Sequence, residues 1–474
     1  MIPKSVETTR SAEKVEKRAG KALGERFWHA VQDKYLLLLL LLAAVLFCEA
    51  AWLAFLTPTE ADIVHYECYG LTFWLGSHGA ALLPQAQCAF IFQHISPFQP
   101  ALHLLPLEYP SLTLLPFSLP LLIPLPYYAL SFILLMTLAA ALIYWLLARS
   151  GAWLAAPIFL FYLVLGTAGV AQERFDLLPA ACTLICLLAA ERGRWRTAYI
   201  ALALGVLLKL YPIVMLPALF FAEQRAWLMQ QEYVAAQGSW LTWAWESAKR
   251  WRWRNCLLCV GLLIAVMGGF ALLNVQDAIV GPLQYFLVRP PQIESLASSA
   301  IWASSSFGAH YTINFDYGSL NLIKSELSSV ISPVDTLLTI TGILFVFWLQ
   351  WRKRIDLAQA MVGLVCVLIT TGKVFSPQYL IWLIPLLAYL YARGKTSRPW
   401  MYCWAAISLL TTVIYVCYYT HLTDPLTDAQ ILPTLPGFFQ LVALRNLLLL
   451  GATVAFLCNW WGARSTNKQG DHLG

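Results

Sequence analysis

TAYIALALGVLLKLYPIVMLPALFFA, residues 197–222, is an almost unbroken apolar stretch with Lys209, Tyr211 and Pro212 at its centre. It is long enough to cross a bilayer, which takes ~20 residues. A lysine at mid-depth is costly, and proline removes a helical hydrogen bond and crowds the preceding turn. Both flanks are basic, with Arg192, Arg194 and Arg196 before and Arg225, Lys249, Arg250, Arg252 and Arg254 after. The bias of Lys and Arg toward the cytoplasm puts both ends on that side. The stretch therefore reads as two half-helices meeting at Lys209–Pro212. Each covers ~20 Å of a ~30 Å hydrocarbon core. Such a break survives only where it is buried in protein or lines a wet cavity.

The rest of the chain fits around this hairpin. Its 474 residues are 59% hydrophobic and 12% charged, with a mean hydropathy of +0.65. Soluble domains carry ~25% charge, so a string of soluble domains is excluded. Apolar spans fall at 36–56, 127–148, 152–170, 175–190, 255–275, 331–351, 356–372, 377–391, 400–420 and 438–460. The expected fold is an all-α polytopic transmembrane bundle of about 11–12 membrane segments with both termini cytoplasmic. Residues 1–34 form a basic segment, 35–460 the membrane domain and 461–474 a cytoplasmic tail. Eight Lys/Arg precede the run Tyr35–Leu56, which reads as an uncleaved signal anchor. The basic segment, with Phe27 and Trp28, suits a lipid surface rather than nucleic acid.

This threading puts 25 of the 31 Lys/Arg on the cytoplasmic side. The exceptions are Arg174, Lys209, Arg289, Lys324, Lys373 and Arg445. Two long outer loops result, 57–126 and 276–330. Prolines make 111–126 more suitable for an interfacial helix than for a span. The Trp-rich, basic stretch 225–254 reads as an amphipathic segment on the inner headgroups. Nine of the eleven cysteines lie in apolar segments and suit packing. Cys68 and Cys88 lie in the first outer loop, and whether they pair is left open.

On the outer side, in chain order, come TEADIVHYECYG (59–70), LEYPS (107–111), QERFDLLPA (172–180), KLYP (209–212), RPPQIES (289–295), KVFSPQYL (373–380) and LRNLLL (444–449). Ionisable groups at membrane depth are rarely decorative. The basic members can neutralise a phosphate, and the acidic ones can bind sugar hydroxyls or accept a proton.

These motifs, in this order and on a common side, resemble glycosyltransferase family 87. That family belongs to the C-type membrane glycosyltransferases, which use polyprenyl-phosphate sugars, and it includes mycobacterial phosphatidylinositol-mannoside mannosyltransferases. The carriers of the resemblance are EYP, RFDLLPA, K-x-YP, R-x-x-Q-x-ES and FSPQYL-x-WL, spanning residues 60–450. EYPS in place of the commoner EYPP, and Gln172–Glu173 where Asn is more usual, are departures from the family pattern.

The resemblance implies a C-type fold and transfer of a sugar, mannose above all, from a polyprenyl-phosphate donor to a lipid or glycolipid hydroxyl. Transfer would take place with inversion on the outer face of the plasma membrane. It implies that Asp62 is the general base, with Glu60 and then His310 as fallbacks. An ordinary loop acid or helix cap is the other reading of Asp62. Lys209, Arg289, Lys373 and Arg445 are the cations for the donor phosphate. A structural ion pair between Lys209 and Asp176 is the alternative there. Glu108, Tyr109, Arg174, Asp176, Tyr211, Gln292, Glu294, Gln378 and Tyr379 are candidates for the sugar and the acceptor. The tyrosines suit interface anchoring equally well. No cofactor or metal is required, and Glu60/Asp62 is the place where a divalent metal is left open. Partners are the lipid-linked donor, the acceptor and membrane lipids, with no nucleic acid.

A transporter or lipid flippase is the alternative from another class, since it too uses broken helices and midplane charges. KLYP, however, has no counterpart in the C-terminal half. A membrane-embedded hydrolase lacks a nucleophile motif, with neither HExxH nor G-x-S-x-G present. A purely structural membrane subunit is the remaining reading.

Overall fold

The computed structural model describes residues 62–84, 87–88, 104–167, 170–230, 250–323, 327–419 and 429–462. The segment 1–34, the expected span 36–56, Glu60, Lys324 and most of the tail 461–474 lie outside them. In chain order come α1 (Asp62–Leu75), α2 (Leu114–Ser118), α3 (Tyr128–Ala148), α4 (Ala155–Thr167), α5 (Leu177–Glu191), α6 (Trp195–Leu208), α7 (Leu216–Gln230) and α8 (Arg254–Ala271). Next are α9 (Gly281–Val288), α10 (Leu296–Ser305), β1 (Thr312–Asp316), β2 (Ser319–Ile323) and α11 (Ser328–Trp351). The series ends with α12 (Leu357–Thr371), α13 (Tyr379–Ala392), α14 (Arg398–Tyr418) and α15 (Phe438–Gly462).

The protein is an integral membrane protein built as a helical bundle. Among the described residues, five helices are long and apolar enough to cross a membrane: Leu125–Ala148, Arg254–Ala271, Val330–Trp351, Arg398–Tyr418 and Phe438–Cys458. Their burial is uneven, with 6% of the window in α8 and 11% of that in α11 covered by protein. Leu257, Ile264 and Leu338 stand exposed on them, as lipid-facing side chains do. The shorter apolar helices α5, α6, α12 and α13 are buried along most of their length. Protein replaces lipid around them, so their non-helical ends can be satisfied internally and they need not reach the full hydrocarbon thickness.

The helix starts have local causes. Asp356 and Gln359 form a capping box at α12. Ser397 caps α14, and Ser295 caps α10. At one end of the bundle the arginine-rich connections meet. Arg192 donates to the Arg149 carbonyl (3.4 Å), Arg393 pairs with Glu191 (3.6 Å), and Arg225 donates to the Gln350 carbonyl (3.4 Å).

Residues 197–222 break as their composition requires. α6 ends at Leu208, Lys209 is extended (φ −156°, ψ 138°), and a 3-10 turn over Tyr211–Met215 leads into α7. Tyr199, early in α6, lies near Glu223, midway along α7, and Asn255 at the start of α8 donates to Glu223 (2.6 Å). The two half-helices therefore return to the same, arginine-rich end. Gly205 permits the fold-back, since a Cβ there would lie 3.2 Å from the Cys182 Cβ and 3.5 Å from the Pro212 ring.

Two expectations are refined. Residues 111–126 are not one interfacial helix but a chain of short pieces: 3-10 turns at Ser111–Thr113, Leu119–Leu122 and Leu125–Tyr127 surround α2. These pieces run on from Ser111 to Leu122, and the run stops at the extended Ile123, where Pro124 follows. The all-α expectation is qualified in the outer loop 276–330, where β1 and β2 pair as an antiparallel hairpin. Its two-residue turn has Tyr317 at φ 53° and Gly318 at φ 66°. These are the left-handed angles of the tight turn that matches strand twist. In the first loop, Cys68 and Cys88 form a disulfide.

Candidate active site

Away from the arginine-rich end, three segments converge: the start of α1, the turn before α5 and the break after α6. Asp62 opens α1, and its carboxylate forms an ion pair with Arg174, the two side chains being 24% and 26% exposed. Two residues further, Asp176 stands at the N-cap of α5 and is fully buried. Its Oδ1 accepts from Lys209 Nζ (2.6 Å) and from Trp382 Nε1 (2.5 Å). Its Oδ2 is buried with no hydrogen-bond partner among the described residues.

Lys209 also lies over aromatic faces, 4.9 Å from the Phe175 ring centre, 5.2 Å from Trp382 and 5.8 Å from Tyr379. Tyr211 stacks on Trp382 (4.2 Å, 2°), as does Tyr379 (4.1 Å, 24°). A lysine removed from water here is held by one carboxylate and several ring quadrupoles, each worth ~0.5–2 kcal/mol.

Glu108 and Tyr109 border this group. Tyr109 meets Phe175 edge-on at 5.1 Å. The Glu108 carboxylate lies 3.6 Å from where a Cβ would stand on Gly318, so the hairpin tip covers it. Burial pushes the Glu108 carboxyl up to about 7, against the opposing pull of the Arg289 charge. Burial likewise raises Glu173, beside Arg174, to about 7. Arg289 donates to Ser319 Oγ (2.7 Å) and lies over the Tyr285 ring (5.3 Å), while its Nε is buried without a partner among the described residues.

A second group ties the neighbouring loops together. The Gln292 amide donates to the Lys373 carbonyl (2.9 Å), and its side-chain oxygen accepts from the amides of Glu294 (3.1 Å) and Phe375 (3.4 Å). Arg445, wholly buried, donates to the Glu294 carboxylate and carbonyl (both 2.6 Å) and to Asn446, and lies 3.9 Å over Phe375. Tyr419 donates to the other Glu294 oxygen (2.7 Å). All three guanidinium nitrogens of Arg445 are thus engaged, and this pair braces the loop 289–295. Lys373 is half-buried and reaches the Leu287 carbonyl at 3.3 Å. Gln378 caps α13, with its side-chain oxygen buried and unpartnered among the described residues.

Of the residues singled out from the sequence, the structure gathers Asp62, Arg174, Asp176, Lys209, Tyr211 and Tyr379 into one group. Glu108, Tyr109 and Arg289 lie at its border. The Phe175 ring joins the two, lying 4.9 Å from Lys209 Nζ and edge-on to Tyr109 at 5.1 Å. Gln292, Glu294 and Arg445 belong to the brace. His310 is exposed at the foot of the hairpin, and Glu60 lies outside the described residues. Asp62, named with Glu60 as a place for a divalent metal, faces Arg174. Among the described residues no three His, Cys, Asp or Glu side chains gather as metal ligands.

Sequence reasoning gave no role to Trp382, although it lies within the FSPQYL-x-WL motif, nor to Phe175, Ser319 or Asn446. None carries a charge, which was the signal that picked out the others. Chemically, the site offers cations to a phosphate, a carboxylate to a proton and aromatic faces to a sugar ring.

No family model matches this chain, and no curated protein matches it. Among solved structures it is similar to the crystal structure of ArnT from Cupriavidus metallidurans bound to undecaprenyl phosphate, at 14% identity, with 90% of this chain and 77% of that one covered and a TM-score of 0.41. The same protein in the apo state is similar at 14% identity, with 88% and 76% covered and a TM-score of 0.36.

Proposed function

We propose that this chain is a C-type, polyprenyl-phosphate-dependent glycosyltransferase that works by inversion on the extracytoplasmic side of the plasma membrane. The sugar is a hexose, mannose by the resemblance of the motifs, and the acceptor is a hydroxyl of a lipid or glycolipid. The observation that carries this reading is the buried Lys209–Asp176 pair at a helix break, beside the Asp62–Arg174 pair. A cation and a carboxylate base stand side by side there, as transfer from a lipid-borne phosphate to a polar hydroxyl requires. The Cys68–Cys88 disulfide supports an oxidising side for the loop that carries Asp62.

In the reaction, Asp62 accepts the proton of the acceptor hydroxyl. The hydroxyl oxygen forms a bond to the anomeric carbon as that carbon's bond to the phosphate oxygen breaks. The electron pair leaves on the polyprenyl phosphate, and the carbon inverts. Lys209, Arg289 and Lys373 offset the charge that grows on the phosphate, an effect strongest where water is excluded. Arg174 holds the Asp62 carboxylate in position. Tyr109, Tyr211, Tyr379 and Trp382 offer faces for the sugar, and Glu108, Asp176 and Gln378 hold oxygens for its hydroxyls. Gln292, Glu294 and Arg445 keep the loop bearing Arg289 in place. No metal enters these steps.

The test supplies the purified protein with radiolabelled polyprenyl-phosphate mannose and membrane-lipid acceptors, with Asp62→Asn alongside. Sugar transfer by the wild type, lowered ~10²–10⁴-fold in kcat by the substitution, is the expected result. Equal transfer by both removes Asp62 as the base. Absence of transfer from any lipid-phosphate sugar, with substrate movement in liposomes, replaces the enzyme with a transporter.

A further inference from the structure

At the arginine-rich end, far from the site above, the start of α6 and the start of α8 line a half-open cavity of about 480 Å³. It is lined by Arg196, Arg252, Arg254, Asn255, Leu257 and Leu258. α6 has Arg196 near one end and meets Lys209 at the other, ~20 Å apart along the helix at 1.5 Å per residue. The cavity is therefore separate from the candidate active site.

Its lining is divided by chemistry. Three arginines from two distant stretches of sequence line one space, and two leucines of a helix with little protein around it line the other side. Leu257 is exposed on the flank of α8 that faces lipid. A cytoplasmic excess of Lys and Arg accounts for basic loops, but not for their convergence on one cavity. Like charges gathered around one space repel unless an anion joins them.

Arg252 is fixed in place. Its amide donates to Gln224 Oε1 (2.7 Å), its carbonyl accepts from Gln224 Nε2 (3.1 Å), and its guanidinium lies 4.3 Å from the Trp227 ring centre. Among the described residues, the carboxylate behind the cavity is Glu223, which is buried and accepts from Asn255, so it does not cancel three arginines. Trp251 and Trp253 pack on Phe220 beside the cavity, and tryptophans collect at headgroup depth. That depth, together with the leucine side, selects a lipid over a soluble anion.

We propose that this cavity binds the headgroup phosphate of an anionic membrane lipid, whose chains run along Leu257 and Leu258. A polyprenyl phosphate, an anionic phospholipid and free phosphate share the recognised group, and the leucines distinguish the two lipids from the third.

The full-length protein is purified in detergent and titrated with phosphatidylglycerol, undecaprenyl phosphate, phosphatidylcholine and inorganic phosphate. Retained lipid is counted by native mass spectrometry. Retention of one or both anionic lipids over phosphatidylcholine is the expected result, weakened about fivefold by Arg254→Gln and about a hundredfold by the triple Arg196→Gln/Arg252→Gln/Arg254→Gln variant. The single substitution stands as the test if the triple variant does not fold. Equal retention of phosphatidylcholine, unchanged retention by Arg254→Gln, or displacement of the lipid by millimolar inorganic phosphate each overturns the proposal. Which anionic lipid is preferred tells a phospholipid site from a second polyprenyl-phosphate site.

Discussion

Lys209 has given up its hydration, and Asp176 offsets that loss through one oxygen while leaving the other bare. Removing one member of such a buried pair costs ~3–5 kcal/mol, whereas replacing both with apolar groups is often neutral. Asp176→Asn is therefore expected to lower stability by about that amount in thermal unfolding. The double variant Asp176→Leu/Lys209→Met is expected to recover stability without recovering sugar transfer. Recovery of transfer as well would reduce the pair to scaffolding.

Glu108 carries a pH signature. Its carboxyl is raised by burial from 4.5 to about 7, so the folded state holds its proton more tightly than the unfolded state does. Its stabilising contribution is full below pH 4.5 and is lost as pH rises through about 7. Glu67 and Glu173, each raised to about 7 by burial, add slopes of the same sign. Unfolding followed from pH 4.5 to 8 is expected to show stability falling across that window, and less steeply in Glu108→Gln. An identical slope in the variant would falsify this assignment.

Among the elements, α1 and the proline-broken segment after it are held together by close approach rather than by length. Tyr66 stacks on Phe117 at 4.4 Å, Tyr128 donates to the Phe117 carbonyl (2.9 Å), and Gly70 lies beneath that carbonyl. A Cβ on Gly70 would come within 2.8 Å of the Phe117 oxygen, a backbone atom that cannot rotate away. Gly70→Ala is expected to destabilise the protein by ~1–3 kcal/mol. Since α1 carries Asp62 at its first residue, the variant should also transfer sugar more slowly at temperatures where it remains folded. Wild-type melting temperature and rate in Gly70→Ala would show that the contact yields freely. The hairpin β1–β2 went unread in the outer loop because a membrane protein of this composition directs attention to apolar length. The alternation of Ile313 and Phe315 and the Tyr-Gly turn are short signals beside it.

For the whole molecule, the Cys68–Cys88 disulfide closes a loop with a sequence separation of 20. A loop of that size restricts the unfolded chain by ~3 kcal/mol. Cys68→Ser/Cys88→Ser, or reduction of the wild type, is expected to lower the melting temperature by a matching amount. The effect should centre on α1, as read by hydrogen exchange. No change on reduction would show that the bridge carries no stability in the native protein.

The sequence by itself determined the helical membrane class, most span boundaries within a few residues, and the break at Lys209–Pro212. These follow from local terms: the apolar length needed to span lipid, the missing amide of proline and the cost of a lysine at depth. It also singled out most of the charged residues that now surround the site, because charges in an apolar chain are conspicuous. Only the tertiary structure decided how they pair. Asp62 meets Arg174, Lys209 meets Asp176, and Arg445 is engaged by Glu294 across 151 residues. It also brought out Trp382, which joins Asp176 to two tyrosines and carries no charge to reveal it. Pairing depends on which helices pack side by side, and nearly uniform apolar faces do not encode that choice locally.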